Sequence, residues 1–234
     1  MYDCVFKNGA EVEMTGWKAL VAGALALSAS FAAPVAASDG DAILLRAAEQ
    51  GDLPALRAAL DDGADIEARD ATGATPLLLA AHHNQVEAAR ILIDAGADVN
   101  AKDGIQDSPY LYAGARGLNA ILRMTLAHGA DLNSTNRYGG TALIPAAERG
   151  HVETVRLLLE AGVAVDHVNR LGWTALLEAI MLGDGGPRHT QIVGLLLDAG
   201  ADPELADGEG VTPLAHARQR GYDGMAQLLQ QARR

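Results

Sequence analysis

Two carboxylates, Glu148 and Glu178, are the residues here whose type comes nearest to acid–base chemistry. Glycoside hydrolysis uses such a pair, one carboxyl protonating the leaving oxygen while the other attacks or activates water. Their separation in sequence does not by itself bring two side chains together. Other reactive types are thinner. The seven histidines are scattered. His82 and His83 are adjacent, so on a helix they point to different faces and cannot chelate one metal as a pair. The single cysteine is Cys4, and no serine sits in a nucleophile elbow. The run Leu182-Gly183-Asp184-Gly185-Gly186-Pro187-Arg188-His189 is glycine-rich, as an anion cradle before a helix would be. It lacks the Lys-Ser/Thr ending and the preceding strand of a phosphate loop. No catalytic residue, metal or cofactor is expected. Tyr112, Arg137, Tyr138, Arg170 and Trp173 belong instead to the types that carry binding energy at interfaces.

The elements that must position these residues repeat. From Asn136 to Val168 the chain reads a turn (Asn136-Arg137-Tyr138-Gly139), a short apolar helix opened by Thr141, a break at Gly150, and a second helix stopped at Gly162. An Asx side chain and a glycine suit the turn, and the Thr141 hydroxyl is placed to cap free amides. Val152, Val155, Leu158 and Leu159 share one face of the second helix. Neither helix is long enough to hold alone, so the unit needs copies. Gly63-Ala64-Asp65, Gly96-Ala97-Asp98, Gly129-Ala130-Asp131, the degenerate Gly162-Val163-Ala164 and Gly200-Ala201-Asp202 recur every 33 residues, with five extra residues in the fifth unit. The turns keep step at Asp70, Asp103, Asn136, Asn169 and Asp207, and the helix openers at Thr75, Ser108, Thr141, Thr174 and Thr212.

A turn plus two antiparallel helices at this period resembles the ankyrin repeat. The resemblance implies an all-α solenoid with β-turn fingers and about six units: 38–69, 70–102, 103–135, 136–168, 169–206 and 207–234, the outer two serving as caps. It covers about five-sixths of the chain and fixes a fold, not a function. The family usually places His after the Thr-Pro-Leu opening. Here that slot holds Leu78, Leu111, Ile144, Leu177 and Ala215, so the hydrogen bond this His makes to a neighbouring turn is expected to be missing throughout. Asn84 replaces a glycine between helices, and Gln106 stands where a turn glycine belongs. Tyr110 falls on a buried Leu slot. Gly114, costly within a helix, suggests close approach by a neighbouring side chain or a ligand, the neighbour being the simpler reading. Pro145, counted from Thr141 as cap, is the fourth helical residue.

Stacking turns the period into ladders, with equivalent residues about 10 Å apart. Arg137 and Arg170 then share a slot at the finger tips, beside Tyr138 and near Trp173, while Tyr112, Pro145 and Glu178 share a slot on the concave side. Tyr112, Arg137, Tyr138, Glu148, Arg170, Trp173 and Glu178 form the candidate partner-binding patch. A structural alternative has Trp173 and Tyr138 packed between fingers and the arginines paired locally. His83, Arg116, Arg149 and Arg220 share a slot before the inter-helix break, where positive charge complements the helix dipole. The leading expectation is a non-catalytic, monomeric module that holds a periplasmic or envelope protein partner through its finger tips and concave face. A small-ligand receptor would use Tyr112, Trp173 and the Gly183–His189 loop, including Asp184, Arg188 and His189. A hydrolase would use Glu148 and Glu178.

Composition agrees. Hydrophobic residues make up 49% and aromatics 4%, enough for a large aliphatic core. A net charge of −12 argues against nucleic acid, whose phosphates need Lys and Arg. Residues 1–37 fall outside the repeat. Lys18 precedes an apolar run from Ala19, and Val35-Ala36-Ala37 offers small residues before Ser38, the pattern of a secretory signal peptide cleaved after Ala37. The run is short for a membrane span, and the acidic stretch before Met14 suggests that translation starts at Met14. With Cys4 removed, no disulfide is expected. A periplasmic or secreted location follows.

Overall fold

The computed structural model describes residues 38–232. The expected start at Met14 and cleavage after Ala37 lie outside these residues, as does Cys4. Among the described residues there are twelve helices and no strand: α1 Asp39–Gln50, α2 Leu53–Asp61, α3 Pro76–His82, α4 Val86–Asp94, α5 Pro109–Arg116, α6 Asn119–Ala127, α7 Leu143–Glu148, α8 Val152–Glu160, α9 Ala175–Met181, α10 Pro187–Asp198, α11 Pro213–Gln219 and α12 Asp223–Ala232. Odd-numbered helices pack on one another in succession, and so do even-numbered ones. This is the two-layer stack of an all-helical solenoid.

The recurring residues build it by satisfying backbone groups. In all five fingers the first turn residue accepts two amides through its Oδ1. Asp70 takes those of Thr72 and Ala74, and Asn136 those of Tyr138 and Gly140. Asp103, Asn169 and Asp207 do the same. The Gly-Ala-Asp aspartates close their own turns the same way, Asp98 Oδ1 accepting from Asn100 N. Neighbouring units are joined at these turns, since Asp98 N donates to Glu67 Oε1 and Asp131 N to Asn100 Oδ1. Asp202 N likewise donates to Asp166 Oδ1, so at three junctions one unit lends a side chain to the turn of the next, a contact that an isolated unit lacks.

The core is a set of ladders. Leu44, Leu77, Tyr110, Leu143, Leu176 and Leu214 occupy one slot of the inner helices and are all buried. Ala47, Ala80, Ala113, Ala146, Ala179 and Ala217 occupy another, and their small size lets helices approach closely. Gly114 belongs to the same close contact: a Cβ there would lie 2.8 Å from that of Ala142. A neighbouring side chain, not a ligand, therefore accounts for the glycine.

Two local expectations fail. Thr141 does not cap its helix; α7 begins at Leu143, and no side chain caps it. The Pro145 ring would clash with the Thr141 carbonyl four residues back. That carbonyl instead takes the Ile144 amide in a tighter turn. The Thr141 hydroxyl loses its target and has no hydrogen-bond partner among the described residues. Pro145 is consequently the third helical residue, not the fourth. The second failure concerns the missing histidine. His216, one position beyond the family slot, bonds the turn residue Asp207 through Nε2 at 2.7 Å. The bond between inner helix and turn survives in the last unit with its donor displaced by one residue.

Asn84 and Gln106 adopt the left-handed backbone, with φ of 52° and 69°. Asn tolerates this through local hydrogen bonding; a longer L side chain pays about 1–2 kcal/mol. Gln106→Gly is therefore expected to stabilise the chain by about 1 kcal/mol, seen as a higher urea midpoint with an unchanged denaturant slope. An unchanged or lower midpoint would show that the Gln side chain compensates its own strain.

Candidate functional site

The inner ends of α5, α7 and α9 and the fingers before them enclose a groove of about 510 Å³. Glu178 sits where the concave slot of α9 turns inward, and its Oε1 accepts from Asn169 Nδ2 at 2.7 Å. This is the same slot-to-turn link that His216 makes to Asp207. Glu178 is only 5% exposed. Burial foremost, and then the Glu148 carboxylate, push its carboxyl up from 4.5 to about 7. Glu148 also lines the groove and is half-buried. The two carboxylates are therefore electrostatically coupled, as their place in adjacent units predicts. Chemically, Glu178 can hold or release a proton near neutrality, but its oxygen is already committed to a turn.

Tyr112 lines the groove on α5. The ring of His82 meets it edge-on, with centroids 4.4 Å apart, and burial holds that imidazole below its ordinary value. The Arg116 guanidinium lies over the Tyr112 ring at 5.6 Å, within reach of cation–π attraction. Arg137 is exposed, covers the Tyr138 ring at 5.2 Å and pairs with Asp107 at 3.7 Å. Asp107 is half-buried, and that burial raises its carboxyl above the ordinary value despite the pairing. Tyr138 itself is 56% exposed. Arg137, Tyr138 and Asp107 all border the groove.

Five of the seven patch residues thus come together: Tyr112, Arg137, Tyr138, Glu148 and Glu178. Arg170 and Trp173 do not line the groove. Arg170 spans the fingers, its Nη1 donating to the Arg137 carbonyl and its amide to that of Tyr138. Trp173 is half-buried in its finger, whose backbone is closed by Asn169. Sequence reasoning left out Arg116 and Arg149, which line the groove as well. Arg149 donates to the Ala115 carbonyl at 2.6 Å, closing the end of the neighbouring helix much as the dipole reading requires. The signal was available: Arg116 lies four residues beyond Tyr112, one helical turn away on the same face.

The Gly183–His189 loop lies apart from the groove lining. His189 is buried, its Nδ1 2.7 Å from Asp184 Oδ1 and its Nε2 2.9 Å from the Glu148 carbonyl. The Gly186 amide, followed by His189, holds the Asp184 carboxyl below its usual range. Arg188 is exposed. The ring of His189 rests against Gly150 and leaves no room for a side chain at Gly183. This residue follows the inter-helix break of its unit as Gln85, His151 and Tyr222 follow theirs. Gln85 donates to the Glu49 carbonyl and Tyr222 to that of Gly183. The loop histidine is thus a latch to the preceding unit. Among the described residues, no cluster of three or more His, Cys, Asp or Glu is placed to hold a metal ion. No helix among them is long and apolar enough to cross a membrane.

Comparison with known proteins agrees with this architecture. The family model for ankyrin repeats (3 copies) matches residues 12–103 and 111–207. The crystal structure of an ankyrin repeat domain from Acinetobacter baumannii AYE is 64% identical, with a TM-score of 0.79 over 81% of this chain and 96% of that one. The ankyrin repeat protein EF0377 is 46% identical, with a TM-score of 0.79 over 82% and 98% of the two chains. The ankyrin repeat domain of Bcl-3, a member of the IkappaB protein family, is 30% identical with a TM-score of 0.73, over 83% and 87%. The Escherichia coli (strain K12) ankyrin repeat protein YahD is 56% identical over 52 residues, which are 22% of this chain and 26% of that protein. Repeat phase, helix stacking and these matches converge: the chain belongs to the ankyrin-repeat family, whose folds are protein–protein interaction modules.

Proposed function

We propose that this chain is an exported, non-catalytic module that holds a protein partner across the fingers of its third, fourth and fifth units and the groove beside them. One observation carries the reading. The third residue of each finger is Thr72, Ile105, Tyr138, Leu171 and Glu209 in turn, and the middle three are 54%, 56% and 58% exposed. An apolar stripe confined to the fingers around the groove, with polar residues on either side, is what a binding surface needs. Glu178 serves its turn as His216 does, which favours a structural role over acid–base catalysis. Export rests on the leader pattern of residues 14–37. Ser38 and Asp41 form a reciprocal capping box on α1 by themselves, so cleavage after Ala37 leaves the cap intact.

The test is site-specific photocrosslinking in intact cells. A crosslinker at position 138 or 171 is expected to trap one discrete protein, and a crosslinker at 72 or 209 to trap none. Equal capture at all four positions would remove the reading. Fractionation with N-terminal sequencing is expected to find a periplasmic or secreted chain that begins at Ser38; a cytoplasmic chain retaining residues 14–37 would refute export.

A further inference from the structure

A vacated latch lies at the break between α7 and α8, apart from the finger stripe. In three units the residue after that break reaches back to a main-chain carbonyl of the preceding unit: Gln85 to Glu49, His189 to Glu148 and Tyr222 to Gly183. His151 holds the same position and does not. Its counterpart acceptor is Ala115, which precedes it by the same 36 residues that separate Glu49 from Gln85. That carbonyl is already taken by Arg149 Nη1 at 2.6 Å. The His151 ring is half-buried against Gly117 and, among the described residues, makes no hydrogen bond. A ring nitrogen so enclosed ordinarily has a partner, and this one must find it outside the chain.

Its surroundings select the partner. Arg116 and Arg149 stand at the ends of α5 and α7, immediately before Gly117 and Gly150. His189 rests its ring on Gly150, next to His151, and carries the exposed Arg188 beside it. Burial foremost, and then Arg149, Arg188 and Arg116, hold the His151 imidazole below its ordinary value; no carboxylate opposes them. Among the described residues none of the three arginines is in an ion pair. Glu148 and Glu178 act on each other in the groove, and Asp184 is held by Gly186 and His189. The positive end of the α8 dipole adds to the field, since α8 begins at Val152 without a side-chain cap. We propose that His151, Arg116, Arg149 and Arg188 form a binding site for a tetrahedral oxyanion, a phosphate group in chemical terms. The cations come from three helices. A phosphate offers oxygens in as many directions and a charge near −2, whereas a carboxylate offers one edge and a single charge.

The test is titration of the purified full chain with inorganic phosphate, and separately with glycerol 3-phosphate and acetate, at constant ionic strength. The histidine ring signals are read by NMR, and that of His151 is assigned by its loss in His151→Gln. Expected is a saturable shift of this signal with phosphate and a response to acetate weaker by about tenfold or more. Arg188→Gln should weaken phosphate binding by about tenfold with thermal unfolding unchanged, while Arg218→Gln, exposed on α11, has no effect. Sulfate, a dianion that does not titrate near neutrality, should raise the pH at which the His151 ring is half-protonated, because the bound charge offsets the arginines. Equal binding of glycerol 3-phosphate would identify phosphomonoesters as the source, and binding of phosphate alone the free ion; either outcome supports the site. An unshifted His151 signal, a shift shared equally by the other histidines, or an affinity indifferent to Arg188→Gln would overturn it and leave the finger surface standing.

Discussion

His189→Ala lowers the stability of the chain by about 2–4 kcal/mol and divides its unfolding into two steps. The expected size follows from what the ring does. It fills a buried site, so truncation leaves a cavity, and it bonds the Glu148 carbonyl at 2.9 Å, which would be left without its buried partner. The expected shape follows from the fold. Stability in a stacked array is a sum of units and the interfaces between them. His189 joins the fourth unit to the fifth, so its loss weakens one interface and lets the two sides unfold separately. Arg188→Ala, at an exposed site in the same loop, is the control and should stay within about 0.5 kcal/mol of the parent. Urea unfolding followed by circular dichroism decides the matter. If both variants retain one transition at the parental midpoint, the latch is incidental.

Glu178→Gln raises stability above pH 7 by up to about 3 kcal/mol and makes little difference at pH 4. In the folded chain the Glu178 carboxyl titrates near 7, and its ordinary value is 4.5. Folding therefore favours the protonated form. Its contribution is complete below about pH 4.5, falls as pH rises from there to 7, and is absent above. The displacement corresponds to about 3 kcal/mol, at about 1.4 kcal/mol for each tenfold change in proton affinity. A glutamine keeps the oxygen that accepts from Asn169, remains neutral at every pH and offers Glu148 a donor in place of a second negative charge. Melting temperatures of both proteins from pH 4 to 8 should diverge through this window. A constant gap across the range would show that the carboxyl is not held neutral by the fold.

The fold was legible because its determinants are local and repeated. Five Asx residues, four of the five helix openers and a closing Gly-Ala-Asp each do one backbone task, and the period multiplies the signal. Thr141 was misread because Pro145 acts on a carbonyl four residues away, a steric effect that composition does not display. The displaced His216 was missed because a bond from helix to turn depends on where a side chain reaches, and the neighbouring slot reaches as well. The groove was partly legible. Ladder counting placed Tyr112, Pro145 and Glu178 on one wall, but it could not separate Arg170, which bridges two fingers, from Arg137, which borders open space. Arg116 escaped notice because a sufficient local explanation, the helix dipole, was already available.

The latch has a consequence for how such a chain can grow. The five additional residues, shared between the α9–α10 connection and a longer first turn of α10, are taken up before His189, which then engages the preceding unit as Gln85 and Tyr222 engage theirs. Register downstream is re-zeroed at that residue and does not depend on the length of chain that leads to it. The stretch from Gly183 to Pro187 is therefore a place where evolution or an engineer can splice in further sequence without dislodging the modules that follow. The same insertion in the finger after Asn169 would sever the bond between Arg170 and Tyr138 and put the neighbouring modules out of step.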